Sequence, residues 1–133
     1  MDNDFQINQH SLDHELIQQP ILVHHWSTKL AEAKLKLDAA LNELSVARAK
    51  TDQEIRKNPE QFGLTKVTEA TVDAAITTDT IVQKNITNVN DLRYEMRLCD
   101  AACTACEHKK RSLEKLVELH GRDYFSAPTP TKS

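Results

Sequence analysis

The sequence has little glycine, little proline and few aromatic residues. Gly occurs twice and Pro four times among 133 residues, and Phe, Trp and Tyr together make up 5% of the chain. These shortages argue against a turn-rich fold and against a large core of bulky side chains. The chain is rich in Ala, Leu, Lys and Glu, which favour helices. We therefore expect helices that bury their apolar faces against one another, including between subunits.

The sequence also predicts neither a leader peptide nor a membrane span. Its first ten residues, MDNDFQINQH, have no basic start and no apolar core. No run approaches the ~20 apolar residues that cross a bilayer. The three cysteines are an odd number without a secretion signal, which indicates a reducing compartment. We expect a cytoplasmic protein that does not bind membranes.

Charge is distributed unevenly along the chain. The net charge is −3, which excludes a polyelectrolyte that binds nucleic acid with its whole surface. Residues 1–20 carry four acidic and no basic residues, whereas residues 27–57 carry seven basic and five acidic residues. Residues 107–122 carry five basic and three acidic residues. Any binding to an anionic partner is therefore expected to be local.

Two long apolar patterns predict two long helices. In residues 21–57, apolar or small side chains recur at alternating steps of four and three, which is a heptad pattern. This apolar stripe comprises Trp26, Leu30, Ala33, Leu37, Ala40, Leu44 and Ala47, with Thr51 next. A similar rhythm runs through residues 81–120 and includes Val82, Val89, Leu92, Met96, Cys99, Cys103, Cys106, Leu113 and Val117. Asn85 and Lys110 interrupt this second pattern at positions where apolar residues are expected.

Helix stop and start signals lie around these patterns. Ser11 can cap a short first helix, and Pro20 suits the start of the next. Residues 59–63 break the chain, Thr65 or Thr68 can cap a short connecting helix, and Asp79 looks like another cap. We predict a flexible N-terminus (1–10), a single all-helical domain (11–122) with long helices at about 21–57 and 81–120, and a C-terminal tail (123–133).

The three cysteines first suggest a metal site. Cys99, Cys103 and Cys106 have the spacing C-x3-C-x2-C, and His108 follows. On one helix the cysteines lie within ~60° of each other, whereas His108 lies roughly 180° from Cys99. One helix therefore cannot direct these four side chains to one tetrahedral ion. We interpret the cysteines as small buried residues, with an inter-subunit or redox role as the alternative, and predict no metal site, cofactor or enzymatic activity.

Oligomerisation is expected to use the two apolar patterns. The residues predicted to take part are Trp26, Leu30, Leu37, Leu44, Cys99, Cys103, Cys106, Leu113 and Val117. Trp26 is the only tryptophan, and its place in the stripe favours packing over the alternative of a base-stacking platform.

Basic residues flank the apolar stripe of the first long helix. Lys29, Lys36, Lys50 and Lys57 are spaced at multiples of seven, and Lys34 and Arg48 flank the other edge. Repeated in each subunit of a helical assembly, such rows would form a multivalent surface for phosphates. Ordinary salt bridges along a coiled-coil edge are the alternative interpretation.

The segment VHHWSTKLAEAKLKLDAALNELSVARAKTD resembles the central helix of UvsY-type phage recombination mediator proteins. In that family a Trp-containing helix leads into a short basic element, which ARAKTD matches with Arg48 and Lys50. The charged end EHKKRSLEKLVELHGRDYFS is similar to the C-terminal half of such proteins, so the resemblance covers about residues 15–125. The assignment of Lys29, Lys34, Lys36 and Lys57 to DNA binding comes from heptad spacing alone.

The resemblance implies a ring-like homo-oligomer that is not an enzyme. Such mediators bind single-stranded DNA and help to load a RecA-type recombinase onto strands covered by single-strand-binding protein. If the chain is phage-encoded, it would act in the host cytoplasm. The alternative is a helical oligomeric adaptor or scaffold that binds only protein partners, which the net negative charge favours.

Overall fold

Three α-helices account for most of the residues in this computed structural model, which describes residues 2–122. They are α1 (Leu12–Lys57), α2 (Glu69–Thr78) and α3 (Thr80–Gly121). Short 3-10 helices lie at Asp2–Phe5 and Pro59–Phe62, and residues 2–122 contain no strand. The predicted all-helical class, with two long helices and short connecting helices, is confirmed. The predicted C-terminal tail, residues 123–133, lies outside the described residues.

The helix α1 starts earlier than predicted and includes Pro20. The prediction of a separate short helix before a long helix at about residue 21 is wrong. Proline removes the N–H that would bond to the carbonyl of Leu16 and its ring crowds that carbonyl, but the helix continues on both sides. Side-chain contacts around this point, described below, hold the helix where the proline weakens it. Asp13 and Glu15 in the first turn also suit the positive end of the helix dipole.

The connections between helices use the expected capping residues. Gly63 has φ +72°, a left-handed conformation that glycine adopts without steric strain, and its N–H bonds to the carbonyl of Glu60. Thr68, one of the two candidates, caps α2 through a reciprocal bond pair with Thr71. The carboxylate of Asp79 accepts from the first N–H groups of α3, including that of Val82 at 3.1 Å. The predicted break at Asp79 is thus a capped helix start.

The predicted single domain divides into two compact units. Among the described residues, the first unit contains residues 2–30 and 98–122, and the second contains residues 31–97. Parts of α1 and α3 contribute to each of them. Within residues 2–122, no helix combines the length and the apolar character needed to cross a membrane.

The core of the second unit pairs α1 with α3 of the same chain. Leu37 and Ala40 are buried against Val89. Partly buried Leu44, Leu92 and Met96 extend this cluster. The heptad pattern therefore predicted correctly which face of α1 is buried. The partner of that face is another helix of the same chain.

The core of the first unit is built around the only tryptophan. Trp26 of α1 is buried with Ala102 and Cys106 of α3. Leu22, Val23 and Cys103 pack at its edge, and Phe5 of the N-terminal 3-10 helix covers it. Residues 1–10 were predicted to be flexible. The structure places Asp4 and Phe5 of that segment in contact with Trp26.

Beyond Cys106 the second apolar pattern predicted the burial of Leu113 correctly but was wrong at Lys110 and Val117. Lys110, expected at a buried position, is exposed, and Lys109 is the buried lysine, with 8% exposure. On a helical wheel the two lysines lie on opposite sides of Cys106, at about −60° and +40°. The N-terminal segment covers the Lys109 side, as its hydrogen bond to Asp4 shows. A straight helix also drifts by ~20° per heptad from a strict seven-residue repeat.

This register predicts different costs for two truncations in α3. Leu113 is fully buried, whereas Val117 is 40% exposed. Leu113→Ala should lower the free energy of unfolding by about 2–5 kcal/mol, because it removes buried methyl groups and leaves a cavity. Val117→Ala is the matched control and should cost less than about 1 kcal/mol. Urea denaturation followed by circular dichroism measures both, and equal costs would contradict the assigned register.

Candidate functional site

The six side chains predicted to bind DNA are exposed on α1. Lys29 belongs to the first unit, and the other five belong to the second unit: Lys34, Lys36, Arg48, Lys50 and Lys57. None of the six forms an ion pair with a described residue. Salt bridging along a coiled-coil edge, the alternative interpretation of these residues, therefore has no counterpart among residues 2–122.

Acidic residues lie close to part of this basic set. Lys50 lines a surface cavity of about 380 Å³ together with Glu43, Glu54 and Asp79. Three carboxylates around one ammonium group weaken its attraction for a phosphate. The carboxylate of Asp79 is already engaged in capping α3. The remaining predicted cations do not line this cavity.

Arg56, which was not among the predicted residues, is the cation of α1 that is neutralised locally. Its guanidinium group contacts Asp52 at 2.7 Å and Glu69 at 2.9 Å. These hydrogen bonds, that to Asp52 first, raise the pKa of Arg56 above its ordinary value. Arg56 therefore ties α1 to the start of α2 and is not available to an anionic ligand.

The residues predicted for oligomerisation are mostly enclosed within one chain. Trp26, Leu37, Cys106 and Leu113 are buried, Leu30, Leu44, Cys99 and Cys103 are half-buried, and Val117 is exposed. Packing between α1 and α3 accounts for the burial of Trp26, Leu37, Leu44, Cys103 and Cys106. Other apolar side chains are exposed on the surface, where another molecule can contact them. The exposed ones on α1 are Leu16, Ile17, Ile21, Leu35, Leu41 and Val46.

The cysteines lie on the buried side of α3, as the heptad pattern indicated. No disulfide joins any two of them, and Cys106 is the most buried. Among residues 2–122, no group of three or more His, Cys, Asp or Glu side chains is arranged to hold a metal ion. Burial raises the pKa of the Cys106 thiol, and the neighbouring Cys103 adds to this rise.

A buried polar cluster in the first unit was not predicted from the sequence. The ammonium group of Lys109 donates to the backbone carbonyl of Asp4 at 2.8 Å. It also lies 3.4 Å from the carboxylate of Glu15, without hydrogen-bond alignment to that oxygen. The indole N–H of Trp26 donates to the carboxylate of Asp4 at 3.2 Å. Asp4 thus joins two side chains that lie on different helices.

Gln19 extends this cluster along α1. Its side-chain N–H donates to the backbone carbonyl of Cys106 at 2.9 Å, and its side-chain oxygen has no hydrogen-bond partner among residues 2–122. The contacts of Lys109 with Asp4 and of Gln19 with Cys106 span 105 and 87 residues of sequence. Such long-range pairs leave no periodic signal. The only local sign of this cluster in the sequence was the pair Lys109 and Lys110, at a point where the pattern predicted an apolar residue.

The two groups of residues offer different binding chemistry. The exposed cations of α1 suit repeated, sequence-independent contacts with phosphates. The cluster around Trp26 and Lys109 offers an indole ring, an indole N–H and an ammonium group, and the N-terminal segment occupies it in this structure.

Comparisons with known proteins add no family or fold relative. The chain matches no protein-family model, and neither a curated protein nor a solved structure is significantly similar to it. The resemblance to phage recombination mediators stays a prediction, carried by the residues quoted above.

The polar cluster predicts unequal effects of two neighbouring lysines on stability. Lys109→Met should lower the free energy of unfolding by about 2 kcal/mol, because the carbonyl of Asp4 and the carboxylate of Glu15 lose a buried charged partner. Lys110→Met makes the same chemical change at an exposed position and should cost less than about 0.5 kcal/mol. Denaturant titration measures both variants. A larger cost at Lys110 would contradict the position of Lys109 in the core.

The cysteines are expected to differ in reactivity. Cys106 is buried and its thiol has a raised pKa, so little thiolate is present near neutral pH. Iodoacetamide should therefore modify Cys99 before Cys106 in the folded protein, and peptide mass spectrometry should show this order. Denaturant should remove the difference. Faster modification of Cys106 in the folded state would contradict its burial.

Proposed function

We propose that the chain is a non-enzymatic single-stranded DNA-binding recombination mediator. It would help a RecA-type recombinase to load onto DNA that is covered by single-strand-binding protein. The observation that supports this proposal is the exposure of the six predicted cations on α1, none of which forms an ion pair with a described residue. Unpaired ammonium and guanidinium groups can contact phosphates without first losing a protein partner.

Phosphate contact explains how such a protein would act on any sequence. Lysine and arginine side chains that contact phosphates release condensed counterions, which gives binding that is independent of sequence and sensitive to salt. In this proposal the bound strand is held or bent, which loosens the competing single-strand-binding protein. Arg48 and Lys50 are the residues that the family resemblance assigns to this role.

The net charge of −3 makes a single chain a weak DNA-binding protein. A ring-like homo-oligomer overcomes this weakness, because every subunit presents the same row of cations to one strand. Linked sites raise the effective concentration of each further contact. The mediator proposal therefore includes oligomerisation, and it places the protein in the cytoplasm, that of the host if the chain is phage-encoded.

A helical adaptor that binds only protein partners is the second candidate. Exposed apolar side chains favour it, since Ile17 is 67% exposed and Ile21, one turn further along α1, is 61% exposed. The carboxylates around Lys50 favour it as well. Protein interfaces gain more from such apolar groups than phosphate contacts do.

Binding of a labelled oligonucleotide tests the mediator proposal. The double variant Arg48→Ala, Lys50→Ala should bind more weakly at low salt, because two phosphate contacts per subunit are lost. The slope of log affinity against log salt should fall by about 0.7 for each contact, or about 1.4 for each subunit that engages the single strand. Fluorescence anisotropy across a salt series measures both quantities.

The double variant Lys66→Ala, Lys84→Ala is the control for charge. Both residues are exposed cations of the second unit outside the predicted set, so the change in net charge is the same. This control should retain the affinity and slope of the unaltered protein. Absent binding at low salt, or equal losses in both double variants, would reject a DNA site at Arg48 and Lys50 and favour the adaptor.

A further inference from the structure

The N-terminal segment covers the most distinctive group of side chains in the first unit. Asp4 and Phe5, together the N-terminal strap, lie over Trp26 of α1 and Lys109 of α3. The carboxylate of Asp4 accepts from the indole N–H, and its backbone carbonyl accepts from the ammonium group of Lys109. The Phe5 ring lies beside the Trp26 ring, with 6.2 Å between their centroids and 31° between their planes.

The strap presents an aromatic ring next to an anion. A nucleotide within a single strand presents the same two features, because a base is a flat aromatic ring and its phosphate is an anion. Trp is among the side chains on which bases stack, and lysine is a common phosphate ligand. The tilted Phe5 ring contacts the indole on which a base would stack, and the Asp4 backbone carbonyl engages the ammonium group that a phosphate would use.

A neighbouring aromatic ring and an adjacent cavity lie beside Trp26 and Lys109. The edge of the His25 ring meets the Trp26 ring with 5.1 Å between centroids and 81° between planes, which restricts the indole. A cavity of about 400 Å³ lies beside the strap, lined in part by Leu22, His25 and Lys109. Asp4 and Glu15 line this cavity as well, so a departing strap would widen it towards Trp26, which the strap contacts.

We infer that the N-terminal strap is an autoinhibitory cover over a second nucleotide site, formed by Trp26 and Lys109. Lifting the strap exposes the indole for stacking with one base of a single strand, and it frees the Lys109 ammonium group for that strand's phosphate. This inference rests on the proposed function for its ligand. The site lies in the first unit, apart in sequence from Arg48 and Lys50 of the second unit.

The contacts of the strap are few enough to be reversible. Among the described residues, two hydrogen bonds, one ring contact and the packing of Phe5 on the Trp26 cluster hold Asp4 and Phe5, and segments held by few contacts open at low free-energy cost. Lys109 keeps Glu15 beside it after release, but that pair is not aligned as a hydrogen bond. The ammonium hydrogens are then available to a phosphate oxygen. A strand that binds only the open form shifts the population towards it.

Phe5→Ala is the decisive variant, because it removes the ring of the strap without changing the net charge. We expect it to raise the affinity for an oligothymidylate by about five-fold or more, the lower end of what one stacked base contributes. Adding Lys109→Met to this variant should abolish the gain. Tyr94→Ala is the control, since Tyr94 is an exposed aromatic residue of the second unit.

Trp26 reports strap release without any DNA, since it is the only tryptophan. Phe5→Ala should shift its emission to longer wavelength and increase quenching by acrylamide. Asp4→Ala is a second variant, with Asp13→Ala, an exposed acid on α1, as its charge control. If neither Phe5→Ala nor Asp4→Ala changes the emission, the strap is not the cover of Trp26 and the inference is wrong.

The two proposals fail in different ways. Exposure of Trp26 in Phe5→Ala with unchanged affinity overturns the strap inference alone. Loss of affinity in Arg48→Ala, Lys50→Ala leaves the mediator proposal intact in that case. In a third outcome, Phe5→Ala binds the strand more tightly while the double variant Arg48→Ala, Lys50→Ala binds it as the unaltered protein does. That result would support the strap inference and reject the site at Arg48 and Lys50. Absence of binding by the unaltered protein and by every strap variant overturns both.

Discussion

Both units depend on the burial of apolar side chains of α1 against α3 of the same chain. In the second unit this contact joins Leu37 and Ala40 to Val89, and in the first it joins Trp26 to Ala102 and Cys106. Alanine and cysteine at these positions let the helix backbones approach closely, so a chain with few large side chains still forms a packed interior. Because this contact uses most of the apolar stripe, we expect association with other copies of the chain to use different residues. Exposed apolar side chains of α1, among them Ile17, Ile21 and Leu35, and the exposed cations of the same helix remain accessible.

Periodicity predicted much of the fold because burial of a helix face repeats along the sequence. It identified both long helices and the buried face of α1, and cap chemistry identified Thr68 and Asp79. It did not identify Lys109, since the choice between Lys109 and Lys110 depends on which flank of α3 the N-terminal segment covers. That segment is distant in sequence, and no local pattern records its position. The early start of α1 was missed for a related reason, because tertiary contacts outweighed the effect of Pro20.

The candidate sites were predictable to different extents. Exposed cations at heptad edges follow directly from the sequence, and the structure adds that they have no ionic partner among residues 2–122. The carboxylates around Lys50 come partly from α1 and partly from Asp79, so their convergence needed the fold. The site beneath the strap combines three separate segments of the chain. Sequence spacing on a single helix assigned Trp26 to packing, which is correct but omits the hydrogen bond of its indole N–H.

Pro20 has a consequence for how α1 is held together near its start. The backbone ladder lacks one bond there, between the carbonyl of Leu16 and the missing N–H of the proline. Glu15 and Gln19 lie on the N-terminal side of that gap, and their side chains reach Lys109 and the carbonyl of Cys106 on α3. Side-chain contacts with α3 thus hold the first turns of α1 at the point where a backbone hydrogen bond is missing. We therefore expect the residues before Pro20 to separate from α3 together, when these contacts break. The N-terminal end of α1 would not fray one residue at a time.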